Sequence, residues 1–472
     1  MATSGASKSF VDGGYCVTRE KNDRTHARVA RPYVRDAART ERGAFEEAAV
    51  SAAMVALSLA AGFVVGFSVW AVLSLSNWLV SLLWGTFGAK GVEGFAAPWF
   101  PLVACTLGGL VIGVWTHFFR GAPASLEAVM ASFKKTGTYR VDGTGRSVVG
   151  FLLPIVFGGS VGPEAGLTGL IVSACCQIRD LLKRAGLRAG AIGDATLAAS
   201  IAALFGTPLA GIVAGVESMP DEEPDPDKYE LRRSAKAVLY LGAAFGALGG
   251  VLAFSALFGG SSGLPRLAEP AMGALDPVWF VPCIALGYAL ALVFEGSGAL
   301  FSRLSQRAGN APFAVIAKPV VAGLVMGGIA VVFPNVLFSG EAQTHELVSN
   351  WAGLGAFALL ATGVLKSAIT PMCLSMGWNG GHFFPCIYSG VSCGFGIALL
   401  AGIDPTFAAG VVTTSYIACT TCKLLLSAGI LLLCFPLHGM LWCGLAAIVG
   451  ALLPLPRTWR SRSNADEELR EL

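Results

Sequence analysis

Residues 48–453 form a succession of apolar runs, several of them long enough to cross a bilayer, and glycine or proline interrupts them repeatedly. No other feature restricts the fold so tightly. A stretch of about 20 apolar residues matches the hydrocarbon thickness of a membrane. In hydrocarbon the backbone must satisfy its own hydrogen bonds, and a helix does so within one segment. Composition agrees: 54% of the chain is hydrophobic and 13% charged, against roughly 25% charged in soluble domains. The expected fold is an all-α polytopic membrane protein. Its 60 glycines suit close helix–helix approach in lipid. Short, interrupted runs mark tilted and broken helices with a site near the midplane.

The runs fall at about 48–83, 101–119, 148–157, 195–217, 231–258, 277–300, 313–333, 357–370, 407–417, 420–435 and 437–453. Gly158-Gly159 precedes one helix start and Gly380-Gly381 another. Each is followed by a broken apolar pair, around Gly206-Thr207-Pro208 and around Cys419-Thr420-Thr421. This hints at two inverted-topology repeats that share a centre. The expected organisation is a polar arm over 1–45, a first repeat over 46–230, a second over 231–455 and a charged tail over 456–472. The arm is basic and has no apolar core of signal-peptide length, so it reads as cytoplasmic. Arg179, Lys183, Arg184 and Arg188 close the helix after the 158–166 turn, and basic loops face the cytoplasm. Arg303 and Arg307 suggest another cytoplasmic turn. The protein is expected to be multi-pass in the cell membrane, with both termini inside.

A net charge of +3 gives no broad basic field, so nucleic acid is not an expected partner. The 12 cysteines are scattered, and Cys105, Cys175, Cys176, Cys283, Cys434 and Cys443 lie in apolar segments. They read as small packing residues. Cys419-x-x-Cys422 has no second pair and no nearby His, so it too reads as packing. No metal and no cofactor is expected.

Three Gly/Pro-rich turns open helices inside apolar surroundings: 120–124, 158–166 and 377–385. Irregular backbone at membrane depth is tolerated where it is buried in protein or lines a cavity. A helix start also aims unpaired N–H groups and a partial positive charge at what precedes it. Converging starts would hold a small anion without a full cation, loosely enough for it to leave. The second turn, Gly158-Gly159-Ser160-Val161-Gly162-Pro163-Glu164-Ala165-Gly166, places an acid among those donors. An ionisable group at that depth is costly and is usually functional. The plain alternatives are a kink in a long span and a glutamate that merely stabilises its own helix.

These motifs carry a resemblance. Gly162-Pro163-Glu164-Ala165-Gly166 is similar to the G-(K/R)-E-G-P motif of the CLC family of chloride channels and proton-coupled anion exchangers. Phe205-Gly206-Thr207-Pro208-Leu209-Ala210-Gly211-Ile212 resembles its F-N-x-P-L-A-G-I segment. Lys366, Thr370, Gly377 and Gly380-Gly381-His382-Phe383-Phe384-Pro385 match its K-x3-T…G-x2-G-G-x-F-x-P spacing. Pro334-Asn335-Val336-Leu337-Phe338-Ser339-Gly340 looks like its P-x-V-L-G-x-G element. The resemblance implies a homodimer with one pathway per subunit for a small monovalent anion, chloride first, with nitrate and fluoride as further candidates. It implies that Glu164 is the gate: ionised, it occupies an anion site, and protonated or displaced by an anion, it swings aside. It implies anion contacts at Gly162, Ala165, Gly166, His382 and Phe383, and at Gly121 and Ala122 in the first turn. Voltage gating and antiport are further properties of the family.

The chain departs from the family pattern in several places. Gly121-Ala122-Pro123 stands where G-S-G-x-P is usual, so the serine hydroxyl is missing. Pro163 replaces the basic residue before the glutamate. No tyrosine follows Tyr416 in the place of the family's inner gate. The second acid of exchangers falls on Ser218, leaving Glu217 one residue earlier as a proton-relay candidate. A one-residue shift turns a helical side chain by about 100°. Channel-like or uncoupled transport is therefore the first expectation and proton-coupled exchange the alternative. A membrane-embedded enzyme is a distant third, since H-E-x-x-H, G-x-S-x-G and any His/Asp cluster are missing among five histidines.

Overall fold

The computed structural model describes residues 33–89, 99–119, 129, 130, 132, 144–184, 190–208, 211–213, 233–259, 264–309, 311–421, 435 and 439–456. The chain divides into two compact units, Met1–Ala52 and Ala53–Leu472. The described part of the first is helical from Tyr33 onward. All contacts reported below lie within the second.

The first helix, α1 (Tyr33–Val80), passes into a π-helical turn at Ser81–Ala89. It begins well before the apolar run, because the polar stretch ahead of residue 48 also takes helical backbone. Among the described residues the further named α-helices are α2 (Phe100–Phe119), α3 (Thr144–Val156), α4 (Glu164–Arg184), α5 (Gly190–Phe205), α6 (Arg233–Phe258) and α7 (Asp276–Ala308). They continue with α8 (Pro312–Ala330), α9 (Glu341–Leu354), α10 (Ala356–Ser375), α11 (Phe383–Ala401), α12 (Pro405–Thr421) and α13 (Met440–Leu452). Among the described residues, seven helices are long and apolar enough to cross a membrane, while 145–156 and 441–452 are apolar but short. The protein is an all-α, multi-pass membrane protein. The basic segment expected as a turn at Arg303 and Arg307 is instead the end of α7, which runs to Ala308 and stops at Gly309 with φ +71°. Arg, Leu and Gln are good helix formers, and the left-handed glycine ends the helix.

Small residues set the packing. A Cβ on Gly62 or Gly66 of α1 would run into the backbone of Ala243 or Ala247 of α6. In return, Gly246 and Gly250 face the backbone of Leu59 and Phe63. The helices α2 and α8 meet the same way, Gly109 against Pro319 and Gly323 against Cys105. Lipid gives no hydrophobic drive for helices to associate, so close van der Waals approach carries more of the adhesion.

The internal repeat is visible in the backbone. In the first half α3, a turn and α4 follow one another, and in the second α10, a turn and α11. Glu164 and Phe383, the first residues of α4 and α11, are 219 residues apart. Gly158 and Gly377 stand at the same separation, and both take left-handed φ, +84° and +94°. Gly162 and Gly381 are 219 residues apart too, without positive φ, and pair with each other in an isolated antiparallel bridge. The register therefore sets Gly158 against Gly377 and Gly162 against Gly381, rather than Gly158-Gly159 against Gly380-Gly381. At the bridge the two turns run antiparallel.

Candidate functional site

Each turn places a helix start at the centre of the protein. Gly158 turns left-handed, which glycine does without steric cost, and its place is closed by the Trp84 ring. The Gly159 N–H bonds the Pro154 carbonyl at 2.7 Å. The bridge then runs both ways: Gly162 N–H to Gly381 O and Gly381 N–H to Gly162 O, each 2.7 Å. Leu167 N–H to Pro163 O, 3.1 Å, closes the first turn of α4. On the other side Cys386 N–H to His382 O, 3.0 Å, closes the first turn of α11.

Glu164 is fully buried. Its Oε1 accepts the backbone N–H of Phe383 at 2.7 Å. No side chain of its own segment caps α11, so a residue of the opposite repeat does so. A carboxylate at a helix N-terminus gains both from the orphan N–H groups and from the dipole. The carboxylate lies between two glycines. A Cβ at Gly162 or at Gly381 would strike it. These glycines are needed for space, since neither takes positive φ.

A second layer fixes the turns. Lys366, the only charged residue of α10, is fully buried. Its Nζ donates to the carbonyls of Asn335, Val336, Leu337 and Phe338 at 3.2, 3.1, 2.8 and 2.9 Å, and it lies 5.1 Å from the centroid of the Tyr388 ring. Three ammonium protons serve four acceptors, so some are shared. The cage holds Phe338 at φ +59°, a rare conformation for a bulky residue. The N–H of Phe338 in turn donates to Gly158 O at 3.0 Å. One turn along α10, the Thr370 hydroxyl donates back to Lys366 O and lies 3.0 Å from Ser160 Oγ. Lys366 and Thr370 thus anchor the 158–160 turn at two points. Trp378 is fully buried and donates to Pro319 O at 2.9 Å. Phe205 stacks on Phe384 at 5.4 Å and meets Phe383 edge-on at 6.0 Å.

Behind α11 lies a further buried polar group. Ser367 Oγ and Cys386 Sγ meet the Tyr416 hydroxyl at 2.6 and 3.3 Å, and all three residues are buried.

The structure brings Gly162, Glu164, Ala165, Gly166, His382 and Phe383 to one centre. Gly162 spends its N–H on the bridge. Ala165 and Gly166 lie in the first turn of α4 and are buried. His382 is half-buried, and its ring stacks on Phe383 at 4.6 Å. Gly121, Ala122 and Glu217 lie outside the described residues. Sequence reading did not single out the Ser160–Thr370 contact or the Ser367–Tyr416–Cys386 group. The cage had a signal, since a lysine alone in an apolar helix needs partners.

Membrane-length helices broken at two helix starts, with a buried acid where the starts meet, define an all-α polytopic membrane protein. The chain belongs to the voltage gated chloride channel (CLC) family, whose model matches residues 108–454. The chloride channel protein CLC-e of Arabidopsis thaliana is 25% identical over 320 residues, 63% of this chain. That match spans 42% of the plant protein. A candidate ion-transport protein, YfeO of Escherichia coli, is 26% identical over 358 residues, 68% of this chain and 73% of its own. Among solved structures, a CLC-type fluoride/proton antiporter superposes with a TM-score of 0.64 at 18% identity, covering 85% of this chain and 95% of its own. A slow cyanobacterial chloride/proton antiporter gives 0.64 at 14%, covering 89% and 97%. At such identity these two show the shared fold.

Proposed function

We propose that the protein carries a small monovalent anion, chloride first, along a path past the N-termini of α4 and α11, with Glu164 as its gate. One observation carries this reading: the Glu164 carboxylate accepts the Phe383 N–H at 2.7 Å inside a fully buried site. A carboxylate oxygen there stands in for an anion, and the two compete for the same donor. When Glu164 is protonated or outcompeted, its side chain leaves and the N–H is offered to the ion. Family membership supports transport rather than enzymatic chemistry. The plant relative's name supports chloride, and the antiporter relatives add fluoride as a test ion. On this reading 46–230 and 231–455 are the two repeats, the active form is a homodimer and both termini are cytoplasmic.

The test is flux from purified protein in liposomes. Glu164→Gln keeps the side chain's size and removes its charge. We expect anion flux to persist, its pH dependence to vanish and any proton movement to stop. A folded Glu164→Gln protein whose anion flux keeps the wild-type pH dependence would falsify the gate.

A further inference from the structure

The turn that delivers Glu164 is held from outside its own segment, and not by α10 alone. A helix end leaves its last four carbonyls without intrahelical donors. In α3 these belong to Leu153, Pro154, Ile155 and Val156. The first three are met locally, by the N–H groups of Phe157, Gly159 and Gly158 at 3.1, 2.7 and 3.2 Å. That is the pattern of a helix closed by a left-handed glycine. Val156 O instead accepts the indole N–H of Trp84 at 2.9 Å. Trp84 stands 72 residues earlier, on the π-helical turn Ser81–Ala89 that ends the first helix.

The same side chain bears on the turn in two further ways. Its ring lies over Gly158, where a Cβ would strike it. It also meets Phe338 edge-on at 5.0 Å and Phe100 at 5.3 Å. Phe338 is the residue at φ +59° whose N–H donates to Gly158 O at 3.0 Å. A second indole, that of Trp378, lies against Gly159, the next residue. The two indoles are not equivalent. Trp378 is fully buried, and its N–H is spent on Pro319 O of α8. Trp84 is half-buried, and its N–H bonds the broken segment itself. Its π-helical winding is a rare form that is frequent at functional sites. Glu164 follows Gly158 by six residues, and the Gly162–Gly381 bridge ties down the stretch between them.

We propose that Trp84 is a positioning residue of the gate: by fixing the break between α3 and α4 it keeps the Glu164 carboxylate seated on the Phe383 N–H, and so sets the anion concentration at which the path opens. The proposal rests on the reading of Glu164 as the gate. Trp84 acts through the 158–162 turn and not on the anion. With the turn loosened, the carboxylate holds its donor less firmly, and a lower anion concentration suffices to displace it.

Trp84→Phe keeps a ring beside Gly158 and removes the indole donor. The test is chloride efflux from liposomes holding the full chain, measured against chloride concentration at one pH. Four proteins are compared: wild type, Trp84→Phe, Glu164→Gln and the double variant. A net hydrogen bond shifts an equilibrium by about two- to tenfold. Half-saturating chloride is expected to fall by about that factor in Trp84→Phe. In the Glu164→Gln background no charged carboxylate competes, and the same substitution is expected to leave half-saturating chloride where it was. A residue that only supports the fold would act alike in both backgrounds, as independent effects add. An unchanged half-saturating chloride in Trp84→Phe overturns the proposal, and so does an equal shift in both backgrounds. Should Trp84→Phe not fold, Trp84→Tyr, which also lacks the indole donor, is read by the same two criteria. A Glu164→Gln protein that keeps the wild-type pH dependence would instead count against the gate reading, whatever Trp84 does.

Discussion

Gly162 and Gly381 act through what they lack. A side chain at either would occupy the space of the Glu164 carboxylate, so the acid reaches the Phe383 N–H only because both positions are bare. Lys366 acts through what it brings. Its ammonium replaces lost water with four carbonyls and so holds the turn that bonds Gly158. Lys366→Met keeps much of the stem and leaves those carbonyls in protein without a donor. Buried unsatisfied acceptors cost about 1–3 kcal/mol each. Some of the four will find new partners, so a net loss on the order of 3 kcal/mol is expected. A lower unfolding temperature in detergent would show it. Anion flux should fall with it, because the 158–160 turn loses one of its two anchors. A Lys366→Met protein with wild-type stability would contradict the cage.

At the scale of elements, the broken helices make the site and the continuous ones make the frame. An unbroken helix keeps its N–H groups for its own carbonyls, so only an interrupted one can offer donors at mid-depth. The turns before α4 and α11 interrupt the chain at matching registers, and the bridge between Gly162 and Gly381 ties them together. In the frame, α1 and α6 touch through glycine on both sides. Gly246→Leu would press a branched side chain against the Leu59 backbone and force the helices apart. Overpacking of this kind costs about 1–3 kcal/mol. Thermal unfolding of the purified variant checks it. The Glu164–Phe383 site should survive, since neither helix contributes to it, so residual flux with wild-type pH dependence is expected at low temperature.

At the scale of the whole molecule, anion binding and folding are linked. A ligand that binds only the folded protein stabilises it by about 2.7 kcal/mol at a hundredfold excess over its dissociation constant. In wild type the Glu164 carboxylate already holds the Phe383 N–H, so on the proposed reading an anion must displace it first. Glu164→Ala removes that competitor. The rise in unfolding temperature on replacing gluconate by chloride at constant ionic strength should therefore be larger in Glu164→Ala than in wild type. Equal shifts would mean that the carboxylate and the anion do not share a donor. Much of this molecule was legible before any coordinates. Apolar runs of bilayer length forced helices, because lipid supplies no hydrogen bonds. The Gly/Pro turns marked where those helices break, and a lone acid in one turn marked the centre. What the sequence left open was decided by contacts across great separations. Local spacing could not show that Phe383 would receive Glu164 across 219 residues, nor that Lys366 would gather the carbonyls of 335–338. Propensity and hydropathy act over one turn or one span. Which buried polar groups meet is settled only when the helices close on one another.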